Sequence, residues 1–125
     1  VASLQTTGNQ TTLPFSPVVV TAAEYGNTAT SAEGLENMLL QLDNVTILND
    51  NPDTGPFYEL VVTGNLRIDD EIYSRYGVGT SAAPPPQPIP GFLKGQVLTK
   101  VVGVGGFSFS NRKIYPRGAA DIVKP

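Results

Sequence analysis

Apolar and polar residues alternate most regularly along residues 38–48, Met-Leu-Leu-Gln-Leu-Asp-Asn-Val-Thr-Ile-Leu. The leucines at 40 and 42 are followed by apolar residues at 45 and 47, so the alternation changes phase at Asn44. A period of two predicts a β-strand with one buried face. One additional residue inside such a strand indicates a β-bulge, which bends the strand and keeps its apolar side chains on the core side. The sequence therefore predicts a bent central strand over 38–48.

Two shorter strands are predicted after this central strand. Residues 57–63 and 66–69 are rich in strand-forming residues, and Gly64-Asn65 between them marks a tight turn, so the three strands form a meander. The preceding loop, 49–55, alternates Asp and Asn as a calcium loop does at its start, but it lacks the later glycine and glutamate of an EF-hand. Plain turn chemistry is the favoured interpretation of this loop, and weak calcium binding is the alternative.

The last third of the chain predicts further strands. Residues 96–104 and 107–109 are separated by Gly105-Gly106, and glycines at such positions indicate a strongly curved strand. The alternation of Phe107 and Phe109 predicts two rings on one face, and Ser-Asn-Arg-Lys at 110–113 predicts a hairpin turn.

The first third has a weaker pattern. Residues 1–16 contain strand-forming residues without clear amphipathicity, so we interpret them as an N-terminal arm or an edge strand. The valines at 18–20 form a short apolar run typical of a strand buried on both faces. Ser31 is the expected N-cap of one short helical turn, whose Leu35 and Met38 are expected to point inward.

Residues 79–91 are the one low-complexity stretch, with five prolines within seven positions. This composition predicts an extended surface loop, with a ligand for a proline-reading domain as the alternative. The 34 residues that follow are too few to form a core of their own, so we predict a single β-domain over residues 1–125. The predicted architecture is all-β, a barrel or a β-sandwich of about six to eight antiparallel strands with one short helical turn.

Composition argues against several kinds of active site. The chain has no Cys, His or Trp, so a disulfide, a thiolate metal site and the commonest general base and zinc ligand are all excluded. The acidic run Asp69-Asp70-Glu71 is consecutive, so its carboxylates would face alternate sides of a strand, and a solvated turn explains them better. We therefore expect no catalytic residue, no metal site and no cofactor, and a protein that is not an enzyme.

Charge is divided unevenly along the chain. Residues 1–65 carry seven acids and no base, whereas residues 92–125 carry six bases and one acid, within a formal net charge of -3. One interpretation is that the two segments pair inside one fold. The other is that an acidic face on one copy meets a basic face on the next, which favours head-to-tail association.

Two sets of side chains are candidates for ligand contact. A basic and aromatic cluster near the C-terminus suits nucleic acid, because its bases can meet phosphates and its ring can stack on a base. Its members are Arg112, Lys113, Tyr115 and Arg117. The sequence pI of about 4.7 disfavours that ligand, since nucleic-acid binders usually have a basic footprint. Four tyrosines would suit carbohydrate if they shared a face, namely Tyr25, Tyr58, Tyr73 and Tyr76.

Several blocks in a fixed order resemble a known family. They are Thr7-Gly8-Asn9, Leu13-Pro14, Pro17-Val18-Val19-Val20, Glu33-Gly34-Leu35-Glu36-Asn37-Met38-Leu39, Asp43-Asn44-Val45-Thr46, Tyr58-Glu59-Leu60 and Tyr115-Pro116-Arg117. Together they resemble the OB-fold-like module of large secreted bacterial proteins, notably extracellular nucleases, where it precedes the catalytic domain. The resemblance implies an OB-like barrel and a secreted, non-catalytic module, and it carries over no nuclease activity.

Two functions are therefore expected. The first is a secreted structural module that self-associates by strand addition, as an extracellular filament or surface-layer subunit, with copies of itself or a cell-surface protein as partners. The residues predicted for self-association are Val1, Leu4, Val18, Val19 and Val20. The alternative is an accessory nucleic-acid-binding domain of a secreted nuclease. No apolar stretch approaches the roughly 18 residues of a membrane span, and the sequons at Asn9 and Asn44 are expected by chance in so Asn- and Thr-rich a chain.

Overall fold

A computed structural model describes residues 16–53, 55–78 and 87–125. The strands in this part of the chain are β1 (Val18–Val19), β2 (Leu39–Asn49), β3 (Leu60–Val62), β4 (Leu66–Ile68), β5 (Val97–Ser108), β6 (Asn111–Tyr115) and β7 (Ile122–Val123). The helices are α1 (Ala22–Tyr25) and the 3₁₀ helices Ala32–Leu35, Thr63–Asn65, Ser74–Gly77 and Ala119–Asp121.

Five of the strands close into a barrel in the order β2, β3, β4, β6, β5, with β5 pairing back onto β2. The pair β4–β6 is parallel and the other barrel pairs are antiparallel. Strand β1 adds to β2 in parallel, and β7 adds to β5 in antiparallel orientation. The predicted all-β, OB-like architecture is thus confirmed, with two parallel pairings among its strands.

The central strand lies where the alternation predicted it. Leu40, Leu42, Val45 and Ile47 of β2 are buried, and Asn44 has a φ of 52° at the change of phase. Asn tolerates this left-handed conformation better than most residues. Strand β2 keeps the same register with β5 before and after Asn44. The alternation of buried and exposed residues in β5 also changes phase opposite Asn44. The register shift occurs instead against β3, between positions 47 and 49 of β2.

A short helix brings a tyrosine into the core. Thr21 and Glu24 form a capping box at the start of α1. Tyr25 at the end of α1 is fully buried, and its hydroxyl donates to the carbonyls of Gly106 and Lys113 at 3.1 and 3.2 Å. Because Tyr25 thereby reaches both β5 and β6, α1 fixes the hairpin that these two strands form.

The helical turn predicted after Ser31 is present as the 3₁₀ helix Ala32–Leu35, with Ser31 at its N-cap position. Leu35 packs against the core as expected. Met38 does not, because it lies just before β2 with its side chain 39% exposed. The inward position predicted for Met38 is therefore wrong.

Two other local predictions need correction. The run 18–20 is not buried on both faces, because β1 has a strand neighbour on one side only within the described residues. Val18 and Val19 are exposed and only Val20 is buried. The hairpin turn falls at Phe109 and Ser110, which have φ values of 49° and 62°, so 111–113 already belong to β6.

Side chains from all barrel strands fill a single core. Its largest fully buried members are Tyr25, Leu40, Leu42, Ile47, Leu60, Val62, Leu66, Ile68, Ile89, Leu98, Val101 and Ile114. Ile89 belongs to the predicted proline-rich loop, so the end of that loop packs into the core. The rest of the loop, 79–86, and the predicted arm up to residue 15 lie outside the described residues.

Candidate ligand-binding face

A cavity of about 260 Å³ opens on the outer face of the barrel. Its walls come from the loop between β2 and β3 up to the residue before β3, from β4, from the β5–β6 turn and from the first residue of β6. The residues that line it are Asp53, Phe57, Glu59, Arg67, Phe109 and Asn111, and we call this set the binding face. In OB folds the face of these strands, flanked by these two loops, is where oligonucleotides and oligosaccharides bind.

Strand alternation explains why charged side chains lie on this face. Leu66 and Ile68 of β4 point into the core, so Arg67 between them points outward. Ile114 of β6 is buried in the same way, and Lys113 beside it points to the outer side. The parallel register places Arg67 directly opposite Lys113. Two cations therefore lie side by side on adjacent strands, which is unfavourable without acids around them.

Three carboxylates surround these two cations. Arg67 Nη1 lies 2.6 Å from Asp53 Oδ2 and 2.9 Å from Glu59 Oε2. Lys113 Nζ contacts Glu59 Oε1 and lies 2.7 Å from Asp69 Oδ2. Glu59 therefore bridges both cations, in an ion chain that runs Asp53, Arg67, Glu59, Lys113, Asp69. With three acids and two bases, the ion chain has a formal charge of -1.

Burial and charge act together on the pKa values of this ion chain. Burial raises the pKa of Glu59, and the hydrogen bond and charge of Lys113 offset this only in part, while Asp69 raises the pKa further. Burial alone would lower the pKa of Lys113, but hydrogen bonds and charges from Asp69 and Glu59 outweigh it, so the pKa is raised. Glu59 therefore takes up a proton more readily than an exposed glutamate does.

Two aromatic rings stand at the rim of the cavity. Phe57 is 60% exposed on the loop before β3, and Phe109 is 92% exposed at the β5–β6 turn. Lys113 Nζ lies 5.8 Å from the centre of the Phe109 ring. The two rings leave a large apolar surface in water on both sides of a polar floor, which is the arrangement of a binding site rather than of a core.

The structure does not gather the predicted basic cluster into one exposed patch. Arg112 pairs with Glu36 and lies 4.8 Å from the centre of the Phe107 ring. Lys113 is 3% exposed within the ion chain, and Arg117 pairs with Asp121.

Tyr115 of the same cluster is half-buried, with its hydroxyl 3.5 Å from Ser108 Oγ. Each base of the cluster therefore has its own carboxylate partner, and nucleic-acid binding through these four residues stays a prediction.

The other predicted residues are placed as follows. Tyr25, Tyr58 and Tyr76 are buried and Tyr73 is half-buried, so the tyrosines do not form an exposed face. For self-association, Val18 and Val19 are exposed on β1 and Val20 is buried, while Val1 and Leu4 lie outside the described residues.

The acids of the predicted calcium loop already have partners. Asp50 accepts a hydrogen bond from the Lys94 backbone, Asp53 pairs with Arg67, and Asn49 accepts from the Asn51 backbone. Among the residues that the structure describes, no group of three or more acids or other metal-ligating side chains is arranged to hold a metal ion.

The uneven charge along the chain is partly resolved inside the fold. Glu36 pairs with Arg112 and Glu59 pairs with Lys113, so acids of the first half meet bases of the last third within one barrel. These contacts support the interpretation that the two segments pair intramolecularly.

The binding face itself was not identified from the sequence. The sequence pattern predicts Phe57 only as the start of a strand, and long stretches of chain separate Glu59 and Arg67 from Lys113. One signal is available, namely Phe109 directly before the turn predicted at 110–113, where a buried ring is not expected.

Comparison of the chain with protein-family models, with curated proteins and with solved structures finds no match. The resemblance to the module of secreted nucleases therefore stays a prediction. Within the described ranges, every helix is too short or too polar to cross a membrane.

Proposed function

We propose that the chain is a non-catalytic binding module that holds an extended oligosaccharide across the binding face. The observation that carries this proposal is the cavity between the two exposed rings, Phe57 and Phe109, on the face that OB barrels use for polymers. The rings can pack against the apolar faces of sugar rings, and the carboxylates and the guanidinium between them can bond sugar hydroxyls.

The charge of the site favours a sugar polymer over a nucleic acid. The ion chain carries -1, and each nucleotide would bring a further negative charge to it. Arg67 and Lys113 are the nearest cations, and both are already paired with carboxylates. A neutral ligand avoids this repulsion and can use the same oxygens as hydrogen-bond acceptors.

Binding can be measured by titration calorimetry against hexasaccharides of β-linked glucose and of N-acetylglucosamine, with a twelve-nucleotide oligo-dT as the competing class. We expect affinity for at least one sugar. Phe109→Ala should reduce it by about tenfold or more, since burying a phenylalanine side chain contributes about 1.5–3 kcal/mol. Phe107→Ala is the matched control, because Phe107 is also exposed but does not line the cavity.

Salt-sensitive binding of oligo-dT without sugar binding would replace this proposal by the nucleic-acid function. Equal losses in both Phe variants would show that the cavity is not the site.

Self-association by strand addition is the second candidate. The observation that favours it is the outer edge of β1, where Val18 and Val19 are exposed and no described strand pairs with the free side. Light scattering of the purified chain at micromolar concentration tests it. If β1 recruits a second copy, large species should be present and Val19→Lys should dissolve them, whereas a monomer in both samples would exclude association through this edge.

A further inference from the structure

A buried triad at one end of the ion chain brings an amine and two carboxyl groups into direct contact. Lys113, Glu59 and Asp69 meet with side chains only 3%, 13% and 10% exposed. Burial alone would make an ammonium costly here, and the two carboxylates, which are nearly as buried, offset that cost by pairing with it. Glu59 is the one member of the triad that also lines the cavity, whereas Lys113 and Asp69 do not.

We propose that Lys113 and Asp69 condense to form an intramolecular isopeptide bond, with Glu59 as the group that carries the protons. The amine nucleophile, the carboxyl electrophile and the acid-base group come from three different segments. Glu59 precedes β3, Asp69 follows β4, and Lys113 lies on β6. The inference is independent of what the binding face takes up.

The position of Asp69 favours it as the electrophile. Its Oδ2 lies 2.7 Å from Lys113 Nζ, so the amine is held next to the carboxyl carbon. Its Oδ1 accepts a hydrogen bond of 3.0 Å from the backbone N–H of Glu71. A donor on that oxygen polarises the carboxyl and can stabilise the oxyanion that forms when the amine attacks.

The position of Glu59 suits proton transfer. Its Oε1 contacts Lys113 Nζ, and its Oε2 is held at 2.9 Å by Arg67 Nη1. Burial and the neighbouring Asp69 carboxyl raise its pKa, which brings it closer to the value of an effective general acid and base. Arg67 also keeps the carboxylate in place, so that Glu59 is less suited to be the group attacked.

The reaction balances without any other reagent. The Lys113 ammonium gives one proton to Glu59, and the neutral amine attacks Cγ of Asp69. Glu59 passes that proton to Oδ2, and a second proton follows the same route from the attacking nitrogen. The C–Oδ2 bond then breaks, water leaves, and the C–N bond remains as a secondary amide. The ion pair and the amide plus water contain the same atoms and the same total charge.

The bond would join the residue that follows β4 to β6, beside the parallel pairing of these two strands. The parallel register there contains only two residue pairs, Arg67 with Lys113 and Ile68 with Ile114. A covalent link beside so short a pairing would lower the conformational entropy of the unfolded chain and so stabilise the closed barrel.

Mass spectrometry of the denatured chain tests the proposal without any variant. After folded protein has been kept at pH 7 for several days, the mass should be lower than the sequence requires by one water, about 18 Da. A mass equal to that of the unmodified sequence would overturn the proposal.

Tryptic digestion then locates the bond. Cleavage after Arg67, Arg75, Arg112 and Arg117 should release a branched peptide that joins residues 68–75 to residues 113–117. A loss of water confined to residues 68–75, with 113–117 free, would indicate a cyclic imide of aspartate and overturn the proposal. A branch between 113–117 and the peptide that contains Glu59 would overturn the assignment of Asp69.

Two variants separate the roles. Lys113→Arg keeps the positive charge but offers no amine for condensation, so its mass should be that of its own sequence. Glu59→Gln should slow the loss of water by a hundredfold or so, the usual contribution of a positioned acid-base group being about 10²–10⁴. Glu33→Gln, an exposed residue away from the triad, is the matched control and should react like the wild type.

Discussion

Tyr76 supplies a sharp test of how the core and the loop after β4 are held together. Its ring is 4% exposed, and its centre lies 4.9 Å from that of Phe92. Its hydroxyl lies 2.9 Å from the carbonyl oxygens of both Tyr58 and Ile68. The change Tyr76→Phe keeps the ring packing and removes only this hydroxyl, so it isolates the polar contribution.

The magnitude follows from counting protons. One hydroxyl has one hydrogen, so the two carbonyls share a single donor and cannot each receive a full bond. Removing the donor of a buried hydrogen bond costs about 1–2 kcal/mol, and we expect a loss of that size. For a domain of this size that corresponds to a melting temperature lower by about 3–10 °C.

Chemical denaturation with urea at pH 7 measures the loss. Tyr115→Phe is the matched control, because its hydroxyl has only a 3.5 Å contact with Ser108, and we expect it to cost less than about 0.5 kcal/mol. Equal losses in the two variants would refute the argument that the paired carbonyls depend on Tyr76.

A second arm of the experiment uses pH. Burial, reinforced by Asp70, Asp69 and Glu59, raises the pKa of Tyr76 well above its usual value. Since the folded pKa exceeds the unfolded one, the stability from the neutral hydroxyl is fully present below about pH 10 and is lost as the pH rises beyond it. The difference between wild type and Tyr76→Phe should therefore narrow above about pH 10, and a constant difference would contradict this mechanism.

Two further predictions concern other parts of the barrel. Gly105→Ala should destabilise the fold by about 1–3 kcal/mol in urea titrations, because the new Cβ would lie 2.8 Å from the Tyr25 hydroxyl. Gly34→Ala is the control and should change stability by less than about 0.5 kcal/mol, because no atom lies within 4 Å of the Cβ that it adds. Burial acts to raise the pKa of Asp121, but hydrogen bonds and charge from Arg117 outweigh it and lower the pKa. Asp121→Asn should therefore be less stable than wild type at pH 7. The two stabilities should converge in acid, since the stability that the Asp121 carboxylate contributes is lost as the pH falls through its folded pKa. A difference in stability that persists in acid would contradict this prediction.

The sequence predicted those parts of the fold that depend on local pattern. Period-two alternation located β2 to within one residue, and Gly64-Asn65 correctly marked the turn between β3 and β4. The prediction that residues 18–20 are buried on both faces was wrong, because three consecutive valines are as compatible with an exposed edge strand as with a buried one. Which of the two applies depends on how many neighbours the strand has, and that is decided by strand order rather than by local sequence.

The binding face depends on strand order to a greater degree. Arg67 and Lys113 are 46 positions apart, and only the parallel pairing of β4 with β6 makes them neighbours. Nothing in either segment specifies that pairing, because a parallel contact between distant strands leaves no turn signal in the chain. The basic residues near the C-terminus therefore look like one patch in the sequence, whereas Arg112 and Lys113 pair with acids from distant segments and Arg117 pairs with Asp121.

Glu59 connects the two proposals, because one of its oxygens bonds Arg67 at the binding face and the other contacts Lys113 in the triad. Condensation of Lys113 with Asp69 would remove one positive and one negative charge together, so the charge of the ion chain would stay at -1. Glu59 Oε1 would lose its cation, however, and would become available to accept a hydrogen bond at the floor of the cavity. Lys113→Arg should then bind sugar more weakly than the condensed wild type, because the arginine keeps Glu59 engaged. Equal affinities would mean that the triad stabilises the barrel without influencing its ligand.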